Sequence, residues 1–81
     1  MKVAEAVREI AEPVIEGLKA DIELIEVEYV KEGSDWYLRL YIDKTGGVTL
    51  DDCQLVSEAL NDILDEKDPV KTKYIFEVSS P

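Results

Sequence analysis

Few side chains in this sequence could do covalent or acid-base chemistry. It holds no histidine and one cysteine, Cys53, so the commonest general base is missing beside any serine, threonine or thiol nucleophile. Cys53 falls about one turn inside an expected helix, where the helix field could lower its pKa slightly. It also lies on that helix's apolar stripe and reads as a small, buried, inert core residue. A lone cysteine has no internal disulfide partner, which fits a reducing compartment. Asp43, Asp51 and Asp52 gather near the same helix start, but the Asp-x-Asp-x-Asp-Gly spacing of a calcium loop is absent. They read as a solvated cap, and no metal site is expected. Gly46-Gly47 precedes the helix as a phosphate cradle would, yet the Gly-x-x-x-x-Gly-Lys spacing is missing and the aspartates that follow would repel a phosphate. No catalytic residue and no cofactor is expected, and the reading is of a non-enzyme.

What remains is surface chemistry suited to binding. Tyr37, Arg39 and Tyr41 alternate along an expected strand and make an aromatic and cationic row that could stack bases or anchor a protein. Glu26 and Glu28 flank that row and oppose the first use. Glu5, Glu9, Glu12 and Glu16 recur at three- and four-residue steps as an acidic ridge, which reads equally as a solvated helix face. Nineteen acidic against nine basic side chains give a formal charge of −10. Such a surface repels phosphate backbones unless its cations cluster, and it favours encounter with basic partners. The same charge also keeps a small domain soluble.

The elements that must position these residues follow from apolar periodicity. Val3, Val7, Ile10, Val14 and Leu18, with Ala6 and Ala11 beside them, predict a helix over about 3–18, kinked at Pro13. From Ile25 the period changes to two. Ile25, Val27 and Tyr29 alternate with Glu26 and Glu28 as a half-buried strand, and the turn Glu32-Gly33-Ser34-Asp35 leads to Trp36, Leu38, Leu40 and Ile42, which alternate with the Tyr37, Arg39, Tyr41 row. Thr49 and Asp52 make a capping-box-like start for a second helix. Along it Cys53, Val56, Leu60, Ile63 and Leu64 share a face, with its end near Asp65 and a loop from there to Lys73. Tyr74, Phe76 and Val78 alternate with Ile75 and Glu77 as a third strand. The fold class is therefore α+β, in the order α-β-β-α-β, with two helices packed on one face of a three-stranded sheet. The open face should carry Glu26, Glu28, Tyr37, Arg39 and Tyr41. The shape is KH-like, but the Gly-x-x-Gly loop with which that module clamps RNA is absent. Strand order stays open.

At 81 residues the chain is read as a single domain, 1–81. No apolar run nears the ~20 residues that span a bilayer, and no secretory signal pattern opens the chain, so a cytoplasmic monomer without membrane contact is expected.

Three stretches carry a resemblance: Ile25-Glu26-Val27-Glu28-Tyr29-Val30-Lys31-Glu32-Gly33, the run from Leu40 through Asp43-Lys44-Thr45-Gly46-Gly47 to Cys53, and Tyr74-Ile75-Phe76-Glu77-Val78-Ser79-Ser80-Pro81. In this order and spacing, with Pro13 and Asp68-Pro69, the chain resembles the N-terminal domain of the bacterial ribosome maturation factor RimP. The resemblance implies a non-enzymatic assembly factor that binds the immature small ribosomal subunit, with a basic small-subunit ribosomal protein as partner. Contact with rRNA would need more than this acidic surface. Family members continue past Ser-Ser-Pro into a C-terminal SH3-like barrel, and since this chain stops at Pro81 the resemblance implies an isolated N-terminal domain. Two other readings stand beside it: a single-strand RNA-binding KH-like module, and a structural or oligomerisation domain.

Overall fold

The structure is a computed structural model that describes residues 3–18, 21–67, 70 and 72–80. The Asp68-Pro69 pair lies outside the described residues. Along the chain run α1 (Val3–Leu18), β1 (Ile22–Glu32), β2 (Asp35–Lys44), α2 (Leu50–Lys67) and β3 (Ile75–Ser79). The strands form one sheet in the order β1-β2-β3. β1 and β2 are an antiparallel hairpin, whereas β2 and β3 are parallel. Parallel neighbours need a crossover connection, and α2 supplies it.

Both helices lie on one side of this mixed sheet. The core joins Val7, Ala11 and Ile15 of α1 with Ile22 and Leu24 of β1, Leu38, Leu40 and Ile42 of β2, and Val56, Leu60 and Leu64 of α2. Val70 closes it from the connection after α2. The apolar face of α1 is wider than the strip the sheet can cover, and only its middle row is fully buried. Ile15 sits in that row, while Ile10, assigned to the stripe by periodicity, is half-buried at its margin. The helix runs unbroken through Pro13. Pro13 and Glu9, whose carbonyl a proline cannot bond, are both exposed, so water can take the vacant acceptor.

β1 begins earlier than its alternation suggests and changes phase within its length. Ile22 and Leu24 are buried, yet beyond them Val27 and Tyr29 face the core. A β-bulge reconciles the two. Leu24 pairs with Ile42 and Glu26 with Tyr41, leaving Ile25 as the extra residue. Ile25, expected in the core, is 40% exposed. Arg8 Nη1 of α1 donates to the Ile25 carbonyl at 3.4 Å, which ties the helix to the bulge.

The two-residue turn of the hairpin places Gly33 at φ 64°, a left-handed conformation that glycine adopts without steric cost. At the other end of β2, Gly47 N–H donates to the Lys44 carbonyl at 2.9 Å. That donor is engaged in a turn, which removes it from any phosphate cradle.

Candidate interaction surface

Alternation along the strands decides what the uncovered side of the sheet presents, and register decides what touches. Three rows cross the sheet: Val30, Tyr37 and Ile75; Glu28, Arg39 and Glu77; Glu26, Tyr41 and Ser79. All five expected open-face residues, Glu26, Glu28, Tyr37, Arg39 and Tyr41, stand in this grid.

Arg39 organises it. Its Nε donates to Glu77 Oε1 at 2.8 Å, and its two terminal nitrogens donate to both carboxylate oxygens of Glu32 at 2.8 and 3.1 Å. The second contact is bidentate, the geometry in which a guanidinium binds a carboxylate best. To reach Glu32 the guanidinium lies over the Tyr37 ring, 4.7 Å from its centroid. These bonds hold Glu32 below the usual carboxylate range, chiefly through hydrogen bonding to Arg39 and then through its charge. The same contacts, first with Glu32 and then with Glu77, push the guanidinium pKa upward. In the next row Tyr41 donates to Glu28 Oε1 at 2.8 Å, and that bond, followed by burial, raises the phenol pKa. Four carboxylates, Glu26, Glu28, Glu32 and Glu77, thus share this face with one guanidinium, whose donors engage two of them. The surface is net acidic and lined with aromatic rings.

Glu32 and Glu77 are the members that sequence reasoning missed. Glu32 reads as the first residue of a turn, and Glu77 joins Arg39 only once β3 is known to lie beside β2. The opposite-charge pairing of Arg39 with an outward glutamate was the available signal, but it needed the strand order.

The helix ridge is a separate surface. Glu5, Glu9, Glu12 and Glu16 are all exposed on α1, and Arg8 Nε meets Glu12 at 3.5 Å. α1 packs on the covered side of the sheet, so the ridge and the grid face different directions.

The aspartates near α2 have a structural task. Thr49 N–H donates to Asp52 Oδ2 at 3.0 Å and Asp52 N–H donates to Thr49 Oγ1 at 3.2 Å, the reciprocal pair of a capping box. Lys44 Nζ reaches the same Asp52 oxygen at 3.0 Å, fastening the end of β2 to the start of α2. Asp52 is 1% exposed rather than part of a solvated cap. Cys53 is half-buried, not fully buried, against the core. Burial and the neighbouring Asp52 charge push its thiol pKa up, opposite to the lowering a helix start alone would give. Among the described residues, no group of three or more His, Cys, Asp or Glu is arranged to hold a metal ion, and no helix is long and apolar enough to cross a membrane.

A family model for the RimP N-terminal domain matches residues 10–81. The chain belongs to that family. RimP is a ribosome maturation factor, so the family's role places this domain among ribosome-related partners. The span matched to the RimP N-terminal domain contains the whole sheet grid and the Thr49–Asp52 cap. It takes in Glu12 and Glu16 of the ridge, with Glu5 and Glu9 preceding it.

Proposed function

We propose that this domain acts as a non-enzymatic assembly module, working as one cytoplasmic unit over residues 1–81. It binds the immature small ribosomal subunit through a basic ribosomal protein. The observation that carries the reading is the acidic, aromatic sheet grid: Glu26, Glu28, Glu32 and Glu77 around Tyr37, Arg39 and Tyr41, on a sheet face that neither helix covers. Carboxylates fixed on a strand lose little freedom on meeting a lysine or arginine, and aromatic side chains supply contact area at low entropic cost. Glu5, Glu9, Glu12 and Glu16 contribute a long-range field that raises the encounter rate. Arg39 keeps the grid in register and limits repulsion among its glutamates.

Association and dissociation kinetics against purified basic small-subunit proteins test this. Converting the four α1 glutamates to glutamine should slow association and flatten its salt dependence. Tyr37→Ala or Tyr41→Ala should speed dissociation, as loss of an interface anchor does. Unchanged dissociation in both tyrosine variants would remove the grid from the contact surface. The fit of this grid to single-stranded RNA is poorer, because its only cation is already engaged by two glutamates.

A further inference from the structure

The described cations divide into two sets. Arg8, Arg39 and Lys44 are ion-paired, whereas Lys31, Lys67 and Lys73 have no acidic partner among the described residues. Two of the unpaired lysines border Trp36. Lys31 stands directly across from Trp36 in the hairpin register. Lys73 lines a cleft with Trp36, Tyr74, Ile75, Ser34 and Asp35. The hydroxyls of Tyr29 and Thr72 are hydrogen-bonded, which holds the chain before Lys73 against β1. Tyr29 also stacks on Trp36, centroids 4.6 Å apart and planes 11° from parallel. The turn end of the hairpin therefore gathers exposed lysines around half-buried aromatic rings, on a molecule that is otherwise acidic.

We propose that this end of the domain, centred on Lys31, Trp36, Lys73 and Tyr74, is a contact site for single-stranded RNA. The aromatic walls offer a stacking surface that accepts any base, and two free ammonium groups flank it for phosphates. A duplex would bring a higher phosphate density toward a chain of charge −10, and its bases would stay stacked out of reach of the cleft. Glu32, the strand carboxylate next to Lys31 in sequence, is ion-paired with Arg39. Asp35 remains in the cleft and weakens the attraction, so binding is salt-sensitive and of low affinity. The choice of RNA as the strand rests on membership of a ribosome maturation family. The site itself is independent of the grid and of the basic partner proposed for it.

Trp36 is the chain's only tryptophan, so its fluorescence reports on this cleft alone. Titration of the 81-residue chain with an eight-nucleotide oligouridylate at low ionic strength should give saturable quenching that fades as salt is added. The double variant Lys31→Gln, Lys73→Gln keeps the core intact and should lower the salt slope by about 2, about one per phosphate-contacting lysine. Trp36→Leu, followed by anisotropy of a labelled oligonucleotide, should weaken binding at least about fivefold, the low end of what one base stack supplies. Absence of saturable quenching, or equal binding by the double lysine variant, overturns the proposal. Quenching by an uncharged proline-rich peptide without any by the oligonucleotide also overturns it, because the cleft is then a peptide groove. The lysine pair should leave the kinetics with basic ribosomal proteins unchanged, and the tyrosine variants of the grid should leave oligonucleotide binding unchanged, so either proposal can fail alone.

Discussion

Two charge clusters in this domain have nearly the same bond lengths and do opposite work. Lys44 meets Asp52 at 3.0 Å, and Arg39 meets Glu32 and Glu77 at 2.8 Å. In the first, the carboxylate is 1% exposed and also caps α2 through Thr49. In the second, the glutamates are about half exposed, at 56% and 47%. Distance alone would rank the Arg39 cluster as the stronger. Burial reverses the ranking, because a buried charge that loses its partners cannot turn to water, whereas an exposed one can. The buried cluster fixes where α2 starts relative to the sheet, and the exposed one fixes how carboxylates are displayed to a partner.

The largest expected effect comes from breaking the buried side of this contrast. Asp52→Ala removes the cap acceptor and leaves Lys44 beside an apolar core, and it should destabilise the fold by about 3 kcal/mol. Urea unfolding should show the midpoint falling at constant slope. Asp52→Asn, which keeps an oxygen for the Thr49 amide, should lose visibly less. Arg39→Met, by contrast, should leave the midpoint almost where it was. If Arg39→Met and Asp52→Ala moved the midpoint equally, the exposed cluster would be a structural tie and the interaction surface would have to be sought elsewhere.

How much of this was legible beforehand depended on whether a feature is local. The succession of helices and strands along the chain, the hairpin turn at Gly33 and the Thr49–Asp52 capping box all follow from spacings of a few residues, and each was readable. The open-face row of Tyr37, Arg39 and Tyr41 was readable for the same reason. The bulge at Ile25 was not, since two alternations of opposite phase, Ile22 and Leu24 against Val27 and Tyr29, look like one strand that begins late. Nor were Glu32 and Glu77, whose role depends on which strand lies beside β2. The burial of Asp52 was hidden because a capping aspartate is ordinarily solvated, and only the approach of Lys44 from the end of β2 makes its burial tolerable. Lys31 and Lys73 lie 42 residues apart in sequence, and only the parallel placement of β3 brings them to one end of the sheet.

A smaller effect sharpens the buried side. Cys53 adjoins Asp52, and its thiol pKa is raised first by burial and then by that carboxylate. Only the thiolate is nucleophilic, so the native protein should react with a disulfide reagent at neutral pH more slowly than a free thiol and reach the free-thiol rate on unfolding. Asp52→Asn removes the second cause and should accelerate labelling modestly while the fold persists. Labelling of the native protein at the free-thiol rate would show that Cys53 is neither shielded nor influenced by the capping network.

The smallest effect belongs to the exposed cluster and is a matter of pH. Glu32 has its pKa lowered from the ordinary value of 4.5 by hydrogen bonds to Arg39 and by its charge. A carboxylate whose folded pKa lies below its unfolded one adds stability that is fully present above the unfolded value, and this is lost as pH falls through the folded value. Any contribution from Glu32 is thus complete at neutral pH, begins to decline below about 4.5, and is gone once both states are protonated. Because the group is exposed, solvent screens the interaction and the unfolding midpoint is a poor probe of it. The carboxyl carbon of Glu32, followed by NMR across the acid range, should titrate below an ordinary glutamate, and it should return toward the ordinary value in Arg39→Met. Added salt should narrow the difference between the two proteins, since an exposed pair is open to screening. If Glu32 titrated normally in the unaltered protein, the bidentate clamp would not persist in solution. Arg39 would then be free to meet an incoming anion, and the grid would lose the fixed acidic display on which its reading as a surface for a basic protein depends.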